Sequence, residues 1–202
     1  MKNLYKSKLL FWTLLSLPAI PLAIDLAEEQ RYYGEIMYRS GIWSCGFLVV
    51  GLMVTPLRIL LTNISEYRQA QARQAIFVMI RNRRYLGVAA LGYAMLHTAF
   101  YLRKLGDLET VVSDVTRFEI VTGWIALVVL LLLGLTSNDY SVQKMARHWK
   151  SLHKWVYVGV IAVFVHWFLF DYRYREIYYW FVPLLSLQLY RLYWWRHKSK
   201  VR

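Results

Sequence analysis

The chain has 202 residues, of which 58% are hydrophobic and 18% charged, and its 25 Lys and Arg against 12 Asp and Glu give a net charge of +13. Soluble domains are about a quarter charged, so this balance excludes an ordinary soluble enzyme and points to a membrane domain. The single cysteine, Cys45, excludes an intrachain disulfide or a cysteine-cluster metal site and reads as a small apolar packing residue.

Six apolar stretches, about 9–26, 38–61, 85–103, 118–137, 152–171 and 177–195, approach or exceed the span of a bilayer. A helix needs about 20 residues to cross a hydrocarbon core of ~30 Å. These stretches use most of the chain, so the expected fold is an all-α membrane protein with six transmembrane helices in one domain over 1–202. The first stretch follows three lysines and imitates a signal peptide, but Asp25 stands where small residues should direct cleavage, so it is expected to stay. Pro18 and Pro21 should bend or weaken this stretch and leave it peripheral, and Pro56 and Pro183 should kink the second and sixth. Residues 62–84, polar and Arg-rich and then apolar, read either as a surface-lying amphipathic helix or as a basic loop. Tyr178, Tyr179, Trp180, Trp194 and Trp195 read as interfacial anchors.

With the N-terminus inside, eighteen of the 25 Lys and Arg fall on one side of the membrane, in the N-terminal tail, the loops after the second and fourth stretches, and the C-terminal tail. The other side keeps Arg31, Arg39, Arg103, Lys104, Arg117, Arg173 and Arg175. Basic residues favour the cytoplasmic side, which puts both termini in the cytoplasm of an inner-membrane, multi-pass protein. The basicity therefore reports topology and contact with anionic lipid, not nucleic-acid binding.

Three of the five histidines lie in or at the edge of these apolar stretches. Imidazole in hydrocarbon is costly without a partner, so each is a candidate functional residue. His97 falls ~18 Å from the inner boundary on the third stretch and His166 ~21 Å on the fifth, at 1.5 Å per residue. Two imidazoles at matching depth on different helices are what a six-coordinate haem iron requires. His153 opens the fifth stretch near the inner face, where an unpaired imidazole costs little. Its 13-residue spacing to His166 leaves the two side chains ~140° apart on a straight helix. His153 is either a ligand or a structural residue on this reading. Gly87, Ala89, Ala90, Gly92 and Ala94 thin the third helix for a flat cofactor or for close helix packing, and Gly123, Gly134 and Gly159 carry the same double meaning.

The run Arg83-Arg84-Tyr85-Leu86-Gly87, ten residues before His97, with Tyr101 four residues after it, resembles a segment of the ferric reductase-like transmembrane proteins. Val54-Thr55-Pro56-Leu57, Leu135-Thr136-Ser137, and the series Trp149, Leu152-His153, Tyr157 and His166 agree in order and spacing. Within that family the chain is most similar to the haem-binding membrane subunits of periplasmic methionine-sulfoxide reductase systems. The resemblance implies a b-type haem between the third and fifth helices with His97 and His166 as axial ligands, and it implicates His153 in haem binding. Two-haem relatives carry a second histidine 14 residues before the His97 position, where this chain has Arg83. The resemblance therefore leaves one haem, or a second held by His153 with a weaker partner. Arg83 and Arg84 then serve a haem propionate, a flavin phosphate or topology alone. FMN is implied by resemblance only, since no phosphate-cradling Gly-rich loop is present.

The implied function is electron transfer from the quinone pool or a cytoplasmic flavin reductase to a periplasmic molybdopterin-dependent methionine-sulfoxide reductase. With no nucleotide-binding fold expected, electrons come from another molecule. Two alternatives stay open: a transmembrane metalloreductase acting on ferric or cupric ions, and a non-redox transporter or scaffold with structural histidines.

Overall fold

The computed structural model describes residues 8–27, 33–63, 70–170 and 174–198. These are all helical or in short turns. In chain order they form α1 (Lys8–Ser16), α2 (Ala19–Ala27), α3 (Tyr33–Asn63), α4 (Ala70–Leu105), α5 (Leu108–Val115), α6 (Phe118–Leu135), α7 (Asp139–Met145), α8 (Arg147–Leu152), a 3₁₀ turn (His153–Trp155), α9 (Val156–Phe170) and α10 (Tyr174–Lys198). Lys2, Lys6, Arg31, Arg68, Arg173, Lys200 and Arg202, which enter the charge asymmetry, lie outside the described residues.

Among the described residues, four helical spans are long and apolar enough to cross a membrane: Tyr33–Thr62, Ile76–Leu105, Phe118–Leu135 and Arg147–Phe170. A fifth exists if α1 and α2, bent by 43° at their break, count as one span. Pro18 lies in that break, where it has no N–H to continue the helix. The expected sixth span, α10, runs 25 residues but is not among them, because tyrosines and charged residues dilute its hydropathy. The chain is a multi-pass membrane protein, and its lipid-facing exterior is correspondingly apolar, with Ile125, Val128, Leu132 and Ile161 all about half exposed or more.

One boundary differs from expectation. Residues 70–84 continue directly into α4 as one helix of 36 residues, ~54 Å long at the usual rise. The segment contains neither Gly nor Pro, and its Ala, Gln and Arg are strong helix formers, so nothing interrupts it. Its side chains before Gln74 and at Ala75, and all of residues 64–69, lie outside what is described. Pro56 and Pro183 lie inside α3 and α10, each one continuous helix.

The helices pack in two principal pairs, α3 along α4 and α6 along α9, with α10 laid against α3. Cys45 and Val49 of α3, Ala90 of α4, Leu130 of α6, Val160 of α9 and Ile177 of α10 share one apolar core. A second core joins Leu22 of α2 to Ile36, Met37, Tyr93 and Phe100. At the end of α4, Gly106 takes φ +82°, a conformation favouring glycine, and bonds back to Leu102 O at 3.2 Å. Asp107 then caps α5 by accepting from the Thr110 N–H at 2.7 Å and from its hydroxyl at 2.9 Å. These bonds hold the Asp107 carboxyl below the usual aspartate range.

Candidate haem site

The two helix pairs each carry one histidine toward a shared space. His97 on α4 and His166 on α9 line the same cavity of about 410 Å³, within the ~300–1,000 Å³ usual for cofactor pockets. Their ring centres are 6.2 Å apart and their planes cross at 89°. Two imidazoles trans on one metal, each at roughly 2 Å from it, have ring centres roughly 6 Å apart.

The outer nitrogens of both rings are spoken for. His97 Nδ1 lies 2.7 Å from the carbonyl oxygen of Met37 on α3, and His166 Nδ1 lies 2.6 Å from that of Glu119 on α6. A carbonyl only accepts, so each Nδ1 carries the proton and donates it. Each Nε2 therefore keeps its lone pair, the form in which histidine binds a metal.

The rest of the wall is apolar, including Cys45, Ala126, Leu130 and Val163, with a polar portion of Glu35, Tyr38, Tyr101 and Lys104. The Tyr38 hydroxyl donates to Glu176 Oε2 at 2.5 Å and that of Tyr101 to Asp114 Oδ2 at 3.3 Å. Trp124 also lines the cavity, and its indole Nε1 is the one buried side-chain nitrogen or oxygen without a hydrogen-bond partner among the described residues. The donor set, the ring separation and this orphaned N–H fit a flat, largely apolar group ligated by two imidazoles. At the N-terminus of α6, Arg117 donates to Glu119 Oε1 at 2.5 Å and to Asp114 Oδ1 at 3.3 Å, and Glu119 and then Asp114 hold its guanidinium more firmly protonated.

His153, Arg83 and Arg84 are not in this cavity. His153 sits in the 3₁₀ turn before α9, stacked on Trp149 with ring centres 3.8 Å apart. Its Nδ1 bonds the carbonyl of Trp149 on its own helical run at 3.1 Å, and its Nε2 faces Ser137 Oγ at 3.3 Å. Trp149 is itself held by an Nε1–H bond to Thr136 O at 2.8 Å. The Leu135-Thr136-Ser137 and Trp149-to-His153 fragments thus meet in space. Arg84 pairs with Asp139 Oδ1 at 2.6 Å and holds that carboxyl below the usual aspartate range, while Arg83 is exposed. Both arginines lie within electrostatic reach of His153.

The small residues divide between their two meanings. Ala94 lines the cavity. A Cβ added at Gly87 or Gly92 would meet nothing within 4 Å, whereas one at Gly134 would strike Leu91 and one at Gly159 would lie 3.0 Å from Val129. Gly41 and Trp124, both in the wall, carry no sequence signal of their own.

The sequence profile of the ferric reductase like transmembrane component matches residues 40–165. The chain belongs to that family. The match begins at Ser40 on α3, three residues after the Met37 carbonyl that His97 bonds, and reaches into α9, one residue short of His166. Among similar proteins, the protein-methionine-sulfoxide reductase heme-binding subunit MsrQ of Brucella anthropi is 39% identical over 129 residues, which cover 62% of this chain and 52% of the relative. The proteins of the same name from Brucella ovis and Brucella canis are each 37% identical over 129 residues with the same coverage. The match thus spans about half the length of these relatives. No solved structure matches the chain.

Proposed function

We propose that this ferric reductase-like protein is a haem-carrying electron-transfer subunit of the inner membrane. It would pass electrons outward to a periplasmic molybdopterin-dependent reductase that repairs methionine sulfoxide. The observation that carries this reading is the pair His97 and His166, 6.2 Å apart across one cavity with both Nδ1 atoms anchored. These two residues would hold one b-type haem, and Lys104, the one Lys or Arg in the cavity wall among the described residues, would face its carboxylate substituents. The bound group would supply a one-electron couple. The chain's own residues fix the ligand tautomer, exclude water with the apolar faces of α3, α6 and α9, and present a cation to the propionates.

Electrons would arrive from quinol or a cytoplasmic flavin reductase, with both termini cytoplasmic. His153, with Arg83 and Arg84 near it, is proposed to serve the inner side, either as a weaker haem site or on the entry path. FMN, carried by resemblance, would release as free flavin on denaturation of the purified protein.

Stopped-flow haem absorbance decides the function. Quinol or a flavin reductase should reduce the haem, and the molybdopterin reductase should reoxidise it. Rapid reduction by NADPH in a preparation free of other flavoproteins would contradict the reading, and fast reoxidation by ferric chelates alone would establish a metalloreductase.

A further inference from the structure

The two candidate ligands rest on seats of the same construction. On α3 the Met37 carbonyl accepts from His97 Nδ1 at 2.7 Å and from the hydroxyl of Ser40 at 2.9 Å, the latter shared with Ile36 O at 2.7 Å. On α6 the Glu119 carbonyl accepts from His166 Nδ1 at 2.6 Å and from the hydroxyl of Thr122 at 2.8 Å. The residue after each hydroxyl is a glycine, four positions past the carbonyl. A Cβ added to Gly41 would stand 2.9 Å from His97 Nδ1, and one added to Gly123 would stand 2.9 Å from His166 Nδ1. Both imidazoles therefore reach the helix backbone only because the facing residue has no side chain. Ser40 and Thr122 are buried, with exposures of 0% and 7%, so their hydroxyls serve the protein interior.

We infer that Ser40-Gly41 and Thr122-Gly123 are paired positioning elements that hold the two axial imidazoles crossed and set the reduction potential of the haem between them. This rests on the haem reading above. The physical basis is that a carbonyl drawing on Nδ1–H makes Nε2 a stronger donor, which favours the oxidised metal. A hydroxyl donating to the same carbonyl weakens that pull. The glycine and the hydroxyl thus act in opposite directions on one atom.

The test uses the purified, haem-loaded full chain, with potentiometric titration and low-temperature electron paramagnetic resonance. The wild type should give the highly anisotropic low-spin ferric signal of crossed imidazole planes. Gly41→Ala and Gly123→Ala should raise the midpoint potential and change that signal, because the ring is pushed off its carbonyl. Ser40→Ala and Thr122→Val should lower the potential by a smaller amount and leave the signal in place. Two controls separate this from loosened packing. Gly92→Ala places a methyl in open space, and Gly46→Ala places one 3.0 Å from Trp180, away from either imidazole. Both should keep the wild-type potential and signal.

Unchanged Gly41→Ala and Gly123→Ala proteins, or a Gly46→Ala protein shifted as far, would overturn the inference. If the two seat variants lose haem while Gly46→Ala retains it, the seats are upheld; if all three lose it alike, they are not. A wild-type chain that takes up no haem removes the functional reading itself. A wild type with normal bis-imidazole haem and indifferent seat variants removes only the seats.

Discussion

The molecule treats its intramembrane imidazoles differently at its two ends. In the cavity, His97 and His166 each give Nδ1–H to a carbonyl on another helix, 60 and 47 residues away in sequence, and turn the rest of the ring inward. At the opposite end of α9, His153 bonds the carbonyl four residues back on its own run, stacks on Trp149 and meets Ser137 with its second nitrogen. The first arrangement turns the remaining nitrogens toward a shared cavity; the second sets the remaining nitrogen against a serine hydroxyl. An imidazole in a membrane protein is thus read less by its depth than by which nitrogen its neighbours leave over.

The largest effect should come from the cavity. His97→Ala or His166→Ala is expected to cut haem content at least about tenfold, the scale on which ligand shells govern metal affinity. Haem-to-protein ratios and reduced-minus-oxidised spectra check this, and a full low-spin b-type spectrum in both variants would erase the contrast between the two ends. His153→Ala should retain most of that spectrum, with at most partial haem loss or slower reduction by quinol. Complete loss would make His153 the principal ligand of its helix and reverse the comparison.

The two ends should also lie on opposite sides of the membrane. Reporter fusions at residue 202 should read cytoplasmic, and fusions near residues 30 and 110 extracytoplasmic, from the eighteen-to-seven division of Lys and Arg. An extracytoplasmic C-terminus would invert the electron path. The smallest effect is expected from Arg84→Ala. Arg84 holds the Asp139 carboxyl below its ordinary value. Their pairing therefore contributes above the free aspartate pKa of ~3.9 and is lost as pH falls through the lower folded value. Thermal melts of wild type and variant should differ slightly at neutral pH, less in high salt, and converge in acid, with the haem spectrum unmoved.

The two candidate ligands were legible in the sequence because hydrocarbon makes histidine conspicuous, so His97 and His166 stand out by depth, and the structure brings both to one cavity. Their seats were not. Ser40-Gly41 and Thr122-Gly123 look like any small residues that let helices approach, and only the carbonyl four positions earlier gives them meaning. A search for Ser-Gly or Thr-Gly at the depth of an intramembrane histidine would have found both. The apolar spans were also readable, but the inner extension of α4 was not. Arg81, Arg83 and Arg84 left 62–84 open between a surface-lying helix and a basic loop, whereas the continuity of 70–84 with α4 depends on the absence of Gly and Pro rather than on hydropathy. Conversely, 177–195 was expected to span as an apolar stretch of bilayer length, although the tyrosines and charges of α10 keep it below the apolarity of the other four.

Both imidazole anchors are neutral. A carboxylate in the place of the Met37 or Glu119 carbonyl would add negative charge beside the ligand and offer a base to take its proton. A peptide oxygen does neither: it orients Nδ1–H without accepting the proton outright. If these rings hold a haem, neither carbonyl would accept its ligand's proton, and the Nδ1 anchors should add no pH dependence to its midpoint potential. Neutral anchors add no counter-charge of their own to a metal held between the rings, so in a low-dielectric interior they would leave its less charged, reduced state favoured, as the proposed electron carrier would require.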